Sequence, residues 1–427
     1  MIDSLIAPLK VRDFCLLFSG QMISTIGDMF YMVALPWLML SSGRTPQELG
    51  IVLAAYGVPR VGTLLLGGLL SDRLRPRMVM LLADLMRTVL VGTLVVLILS
   101  GRTAIWQLCA IAAPLGAFAG LFLPAYYAIL PGILGSDALQ AGNALNTASL
   151  QLALLIGSGL AGLVVSRLQP AAAFAVDALT FVISAITLIS MQGKRRLEKA
   201  PAAQAGSASA TAVVVGEHAE GDADNKRDVP FAQEVSFWQL VRSWRLLQVA
   251  FLVVIFGNFL FNGVFEVARP TLARNQFMAG AAGYGLLLSA FGAGSLAGGL
   301  IAGSLGRKAH RGLLMLTLIM ILGVLYSFVP FAGGLPGATL LIGSAGLTNG
   351  MLTVLAFTVM QQQAPQHLLG RLMGIFLFAS LGLYPLSVAL VGALTSRFGP
   401  VLLFPISGAM MLGAAAFGWL QREVRKL

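Results

Sequence analysis

Charged residues are scarce in this chain. Asp, Glu, Lys and Arg make up 11% of the 427 residues, whereas hydrophobic residues make up 57%. A soluble domain of average composition carries roughly 25% charged residues. Because so few charges cannot cover a water-exposed surface, the composition excludes a soluble globular protein. The mean hydropathy of +0.86 indicates an integral membrane protein instead.

Cysteine and histidine are too few to build a disulfide framework or a metal centre. Cys15 and Cys109 each lie in an apolar segment, and the three histidines, His218, His310 and His367, fall in predicted loops. A metal or disulfide scaffold needs more ligands at closer spacing. We therefore expect no metal and no bound cofactor.

The sequence also lacks the short motifs of common enzymes. It contains no Walker-type glycine-rich loop, no His-Glu-x-x-His and no nucleophile elbow. Any solute movement catalysed by this chain would therefore be driven by an ion gradient or by the solute's own concentration gradient, and not by ATP hydrolysis within the chain. The sequence predicts that the protein is not an enzyme.

Long apolar runs dominate the sequence. A membrane-spanning helix needs about 20 apolar residues, and the length of these runs favours helices over the short alternating strands of a barrel. Twelve segments qualify, at 14–40, 48–71, 78–99, 104–130, 144–166, 171–192, 247–269, 281–305, 312–332, 336–361, 370–396 and 400–420. We predict an all-α membrane protein with twelve transmembrane helices.

Positive charge is distributed unequally between alternate loops. With the N-terminus in the cytoplasm, 20 of the 28 Lys and Arg residues fall in cytoplasmic loops and 6 in external loops. This bias predicts a cytoplasmic (inner) membrane protein with both termini inside. The net charge of +11 is thus an orientation signal, and no nucleic-acid partner is predicted.

A polar segment divides the chain into two parts. Residues 193–236 are rich in Ala, Gly, Ser and charge, which is typical of a disordered linker. The sequence therefore predicts a six-helix half at 1–192. It predicts an interfacial helix followed by a second six-helix half at 237–427.

The two predicted halves contain weakly similar motifs at corresponding positions. Arg73 and Arg307 occupy similar loops, and the interval between them equals the interval between Pro131 and Pro365. Two parallel repeats related by an axis along the membrane normal fit this duplication.

The loop after the second segment carries a family signature. Gly68, Asp72, Arg73 and Arg77 match the pattern Gly-x-x-x-Asp-(Arg/Lys)-x-Gly-x-(Arg/Lys), with Arg75 in place of the second glycine. This motif resembles the loop 2–3 signature of the major facilitator superfamily. The resemblance covers nearly the whole chain and implies that superfamily's fold of two pseudo-symmetric six-helix halves.

Other stretches resemble one branch of that superfamily, the macrolide-efflux and enterobactin-exporter group. They lie at 18–40, 71–87, 123–146 and 174–185. The resemblance implies export from the cytoplasm driven by proton antiport. The fifth-span antiporter motif departs from its pattern, since Gly157–Gly162 has no proline.

The same resemblance implies a gate at the cytoplasmic side. Asp72 is expected to reach the start of the eleventh span, where Arg371 stands. Asp84 and Arg87, at i and i+3 on the third span, are interpreted as partners of this loop cluster.

Charged residues within the spans are candidate functional residues, because a charge in lipid costs several kcal/mol or more. Asp28 lies mid-span, with Gln21 and Thr25 before it at helical spacing. We interpret Asp28 as a proton or substrate site facing a central cavity. A purely structural aspartate is the alternative.

The seventh span repeats this pattern. Asn258, Asn262 and Glu266 stand at i, i+4 and i+8 and so share one helix face. Asn262 follows Asp28 at the same interval that separates the two loop arginines, so it is the approximate repeat mate of that aspartate. Glu266 is a candidate for coupling or substrate binding. The alternative is a glutamate near the outer surface that is paired with Arg269.

Arg60, after Pro59 in the second span, admits two interpretations. It either pairs with Asp28 or binds an anionic group of the substrate. Arginine does not release its proton, so the sequence leaves Asp28 and Glu266 as proton carriers. Asp177, in the sixth span, is interpreted as structural.

Three further polar residues are candidates for lining the cavity. They are Tyr126, Asn349 and Tyr384.

The predicted function is secondary active export of a small amphiphilic compound, either drug-like or a siderophore, by alternating access. The expected coupling ion is H⁺, and the expected partners are an anionic small molecule and membrane lipids around a monomer. The alternatives are an uncoupled facilitator for a lysophospholipid or metabolite, and a non-transporting membrane sensor with the same fold.

Overall fold

The computed structural model describes residues 7–71, 75–101, 103–192, 245–304, 311–363 and 378–421. All regular secondary structure in these ranges is helical. The predicted linker at 193–236 and the predicted interfacial helix before residue 245 lie outside the described residues, so both stay predictions.

Twelve long helices account for most of the described chain. They are α1 (Arg12–Ser41), α2 (Pro46–Ser71), α3 (Pro76–Leu99), α4 (Ile105–Ile133), α5 (136–168), α6 (170–190), α7 (245–275), α8 (Gly280–Ser304), α9 (Arg311–Phe328), α10 (Leu335–Gln363), α11 (Phe378–Phe398) and α12 (Leu403–Leu420).

The helix lengths confirm the predicted all-α membrane protein. Ten helical stretches in the described ranges are long and apolar enough to cross a bilayer. One of them, Ala141–Ser190, contains both α5 and α6, and α2, Pro46–Ser71, is a further helix of 26 residues. The predicted twelve segments therefore correspond to α1–α12, and the chain is a multi-pass membrane protein.

A proline separates α5 from α6 without an intervening loop. Gln169 has a φ of 71° and a ψ of 164°, and Pro170 follows it. A proline disfavours helical backbone at the residue before it, and it lacks the N–H that would donate the helix's next hydrogen bond. The chain therefore reverses its direction at a single residue, with no loop between α5 and α6.

The helix positions support the internal duplication. Helix α2 begins at Pro46 and α8 begins at Gly280. The interval between these two starts equals the interval between Arg73 and Arg307 in the sequence motifs of the two halves. Helices α1–α6 form one half and α7–α12 the other.

The two halves contact each other at the end of the bundle opposite the chain termini. There α2 packs on α11, and a methyl group added to Gly50 would lie 2.5 Å from the carbonyl oxygen of Val388. Helix α5 packs on α8 in the same way, since a methyl group on Gly285 would lie 2.5 Å from the carbonyl oxygen of Ser158. Small residues permit this close backbone approach. The halves are therefore closed together at this end.

We predict that Gly50→Ala destabilises this closed arrangement. The added methyl group meets backbone, which cannot rotate away, and overpacking of this kind costs about 1–3 kcal/mol. The measurement is thermal denaturation of the purified protein in detergent. Gly92→Ala is the matched control, because a methyl group there meets no atom within 4 Å. Equal denaturation temperatures for Gly50→Ala and wild type would contradict the close contact.

Candidate functional site

A cavity of about 280 Å³ lies between the two halves. We call it the central cavity. Its walls come from α2 of the first half and from α7, α8, α10 and α11 of the second. The lining residues are Gly57, Arg60, Val61, Leu64, Phe261, Asn262, Phe265, Glu266, Phe291, Asn349, Leu381 and Tyr384. Aromatic and aliphatic side chains with a few polar groups form a surface suited to an amphiphilic molecule.

Arg60 is the cationic group of the central cavity. It is half-buried, and its guanidinium carbon lies 5.7 Å from the centre of the Tyr56 ring. Within the described residues no carboxylate oxygen comes within 4.0 Å of its nitrogens. A guanidinium held by an aromatic ring but not by an acid keeps its donors free for a ligand.

Glu266 supplies the opposite charge from α7. It lies in a π-helical turn, Val264–Ala268, where one extra residue per turn changes the direction of the side chains. Such turns occur frequently at functional sites. On the same helix Asn262 donates a hydrogen bond to the carbonyl oxygen of Ser380 in α11, at 3.3 Å. Among the described residues, the lining of the central cavity therefore includes one cation, one acid and the amide of Asn262, which a hydrogen bond holds in place.

A second charged site lies wholly within the first half. Its centre is Arg87 of α3, which contacts Asp28 and Asp84, and Asp177 of α6 packs against Gly27, next to Asp28; we call Arg87 and these three acids the Arg87 cluster. Nη2 of Arg87 donates a hydrogen bond to Oδ1 of Asp28 at 2.7 Å, and Nη1 lies 4.0 Å from Oδ1 of Asp84. Ser184 of α6 donates to Oδ2 of Asp84 at 2.7 Å.

The Arg87 cluster is closed on one side and open on the other. The side chains of Asp84 and Arg87 are 0% and 7% exposed, whereas that of Asp28 is 35% exposed. The Arg87 guanidinium stacks on Phe181, with 4.1 Å from its carbon to the ring centre. Asp28 is therefore the member of the cluster that solvent reaches.

The ion-pair prediction for Arg60 requires a correction. Asp28 pairs with Arg87 of α3 rather than with Arg60 of α2. In the described residues, Arg87 pairs with Asp28 of α1, and Asp84 accepts a hydrogen bond from Ser184 of α6. Asp72 and Arg73 of the loop after α2 lie outside the described residues, so the interpretation of Asp84 and Arg87 as partners of that loop stays a prediction.

The alternative pairing of Glu266 with Arg269 is absent from the described residues. Arg269 is 0% exposed, inside α7 rather than in an external loop. Its Nε and Nη2 donate hydrogen bonds to the carbonyl oxygen of Phe265, and its guanidinium lies over the Phe265 ring. The side chain folds back on its own helix, which leaves Glu266 facing the central cavity.

The structure places the predicted lining residues in two groups. Asn262, Asn349 and Tyr384 do line the central cavity, together with Arg60 and Glu266. Their roles in transport stay predictions.

The other four predicted lining residues lie elsewhere, which corrects their assignment. Tyr126 is 1% exposed in the hydrophobic core of the first half. Gln21 and Thr25 hydrogen-bond to each other along α1, at 3.1 Å. Asn258 donates to the carbonyl oxygen of Val254 one turn back in α7. Tyr126 is thus packed in the core, and the other three side chains form hydrogen bonds along their own helices.

The predicted gate lies mostly outside the described residues. This holds for Asp72, Arg73 and Arg371, and the surroundings of the Gly68 position are likewise not described. Arg77 is described, and its Nε and Nη2 donate to the carbonyl oxygens of Leu188 and Ile189 at the end of α6. These bonds complete the C-terminal turn of that helix.

The face of α6 that carries Asp177 was not predicted from the sequence. From the sequence, Asp177 is interpreted as structural and no role is given to Phe181 and Ser184. These residues are spaced at i, i+4 and i+7, which puts them on one helix face. This helical spacing is the sequence signal that could have grouped Asp177 with the other charged residues.

The fold and the central cavity define a class. Two six-helix halves that enclose a cavity between them are the architecture of a membrane transporter. A sequence model described as the Major Facilitator Superfamily matches residues 17–383. The chain belongs to the major facilitator superfamily, and it is a transporter of small molecules rather than an enzyme.

Relatives with assigned functions are distant but cover most of the chain. The multidrug efflux pump Tap of Mycolicibacterium fortuitum is 27% identical over 383 residues, which is 87% of this chain and 87% of that protein. The enterobactin exporter EntS of Salmonella paratyphi A is 23% identical over 396 residues, 92% of this chain and 87% of that protein.

A solved structure confirms the fold. The human organic anion transporter MFSD10 (TETRAN) superimposes with a TM-score of 0.63 at 18% sequence identity. The match covers 95% of this chain and 99% of that one.

We predict that Arg87→Leu destabilises the protein by about 3 kcal/mol, because it leaves buried carboxyl groups without their cation. The measurement is the free energy of unfolding in mixed detergent micelles.

A double-mutant comparison tests the pairing itself. Asp28→Asn should lower the free energy of unfolding by less in the Arg87→Leu background than in wild type, and the difference should exceed about 0.5 kcal/mol. Arg397→Leu is the control, since that arginine is exposed beside Phe398. Additive effects of the Asp28 and Arg87 substitutions would contradict the pairing.

Proposed function

We propose that this transporter exports a small amphiphilic organic compound, drug-like or a siderophore, by alternating access coupled to proton antiport. The observation that carries the proposal is the central cavity, where Arg60 and Glu266 face an otherwise aromatic and aliphatic wall. The relative Tap is a multidrug efflux pump and the relative EntS is an enterobactin exporter, which supports the outward direction.

The location and orientation follow from the distribution of charge. We propose that the protein lies in the cytoplasmic (inner) membrane with both termini inside, where most Lys and Arg residues of its loops are found. The closed contacts of α2 with α11 and of α5 with α8 are then at the external end. In this arrangement the central cavity belongs to a state that takes up cargo from the cytoplasm.

The guanidinium of Arg60 favours a cargo that carries an anionic group. Its guanidinium has no acidic partner within 4.0 Å among the described residues, and a planar fork binds a carboxylate or catecholate through two parallel hydrogen bonds. Glu266 would repel such a group unless the carboxyl is protonated.

The test is transport into inverted membrane vesicles, with and without an acidic interior. The probes are enterobactin, the anionic dye carboxyfluorescein and the cationic dye ethidium. We expect accumulation of at least one of these compounds to collapse when the pH gradient is dissipated. Accumulation that ignores the gradient would reject proton antiport but not export.

We predict that Arg60→Gln reduces transport of anionic probes at least about tenfold, since a charge-assisted hydrogen bond contributes about 1.5–3 kcal/mol. Arg60→Lys should retain an intermediate rate, because it keeps the charge but loses the fork. Rates for carboxyfluorescein and enterobactin are compared with those for ethidium in the same vesicles. Arg397→Gln is the matched control. An equal loss for anionic and cationic probes would argue against anion capture by Arg60.

A further inference from the structure

We propose that the Arg87 cluster is the proton-binding site of this transporter, with the proton held on Asp177, and that it is separate from the central cavity where cargo binds. The inference rests on the proposed antiport and deepens it. It assigns the proton to a residue that the sequence pattern suggested was structural.

The first step is a count of charge. Three carboxyl groups surround a single guanidinium, and arginine stays protonated in proteins. Arg87 compensates Asp28 through the hydrogen bond of 2.7 Å, and Asp84 receives the donor of Ser184 and the weaker approach of Arg87 at 4.0 Å. No cation remains for Asp177 in the part of the chain that the structure describes. An uncompensated buried carboxylate costs far more than a neutral acid.

The second step is the environment of Asp177. It is 1% exposed, and its Oδ1 has no hydrogen-bond partner among the described residues. The same is true of Oδ1 of Asp84 and Nε of Arg87, which are also buried. Three residues of the cluster thus contribute unpartnered polar atoms that are screened from solvent. A proton on Asp177 removes its charge and supplies an O–H donor.

The third step is the route by which the proton leaves. A methyl group placed on Gly27 would lie 2.9 Å from Oδ1 of Asp177, so that oxygen packs against α1 next to Asp28. Asp28 is 35% exposed and is the solvent-accessible member of the cluster. The O–H bond of Asp177 breaks, the proton passes to the carboxylate of Asp28 and then to solvent, and Asp177 retains the electron pair.

The fourth step links the proton to movement. Once Asp177 is a carboxylate, Arg87 has a second strong partner, and its guanidinium already lies on Phe181, one turn from Asp177 on α6. Release of the proton therefore draws Arg87 from α1 towards α6. Because α1 and α6 both pack in the first half, a change in this pairing alters their relative position.

Other charged and titratable groups nearby do not supply the missing cation. Those on the elements packed around the cluster are Tyr31 of α1 and Tyr56 and Arg60 of α2. Arg60 lies over Tyr56 on the wall of the central cavity. The two tyrosines are neutral donors. The proton site and the cargo site thus use different residues.

The first experiment reads the proton directly. Infrared difference spectra of the reconstituted protein are recorded across a pH titration, and the C=O stretching band of a protonated carboxyl group is followed. We expect the band in wild type and in Asp13→Asn, and its loss in Asp177→Asn. Asp13 is a matched control because it lies at the start of α1, where it accepts a bond from the backbone of Gln192. A band unchanged in Asp177→Asn overturns the assignment.

The second experiment separates coupling from cargo binding. In proteoliposomes, uptake of carboxyfluorescein driven by a pH gradient is compared with its counterflow exchange without a gradient. We expect Asp177→Asn to lose gradient-driven uptake at least tenfold while exchange stays within about twofold of wild type. Asp177→Glu should restore part of the uptake, and Arg60→Gln should lose both activities. These expectations follow from assigning proton and cargo to different residues.

The outcomes distinguish this inference from the proposed function. Full gradient-driven uptake in Asp177→Asn overturns the proton site but leaves antiport standing. Equal loss of uptake and exchange in Asp177→Asn also overturns it, because that result indicates a structural role. Absence of gradient-driven uptake in wild type for enterobactin, carboxyfluorescein and ethidium alike rejects antiport and with it the coupling role of the cluster.

Discussion

A guanidinium buried inside a helical membrane protein must be compensated, and the first half of this transporter is arranged around that requirement. Arg87 of α3 is 7% exposed and takes its nearest acid from α1 and its second from its own helix. The ring of Phe181 covers it from α6. Three helices therefore depend on one side chain, because no lipid-facing orientation could satisfy its charge. This constraint sets the rotation of α1, α3 and α6 about their axes.

In the central cavity, by contrast, the charged groups of the described residues are not paired with each other. Arg60 and Glu266 face each other's half without an ion pair among the described residues, and their neighbours are mainly aromatic and aliphatic. Charged groups that are already paired cannot recognise a ligand without first losing a partner, whereas these groups retain their capacity to bind. The π-helical turn at Val264–Ala268 and the folded-back Arg269 keep Glu266 on the cavity side. The structure thus separates compensated charge within one half from uncompensated charge between halves.

Composition and spacing predicted the fold well because they report on the membrane itself. Apolar runs long enough to span a bilayer match α1–α12, and the repeat interval of the sequence motifs reappears between the starts of α2 and α8. The partners of charged residues were predicted poorly. Arg60 and Arg87 both stand within spans at plausible depth, but depth does not reveal which helices are adjacent or how each is rotated. The pairing of Asp28 with Arg87 depends on α1 contacting α3 at that level, which helix periodicity alone does not specify.

The glycine contacts between the halves involve helices next to those that carry the Arg87 cluster. Gly50 against α11 and Gly285 against α5 bring backbones together at the end opposite the termini, so the halves are closed together there. Asp28 is the most exposed member of the Arg87 cluster, with 35% of its side chain accessible. Helix α1, which carries Asp28, packs on α6, and α6 continues directly from α5, which forms the contact with α8. Charge in the first half and closure between the halves are therefore joined through the same continuous pair of helices.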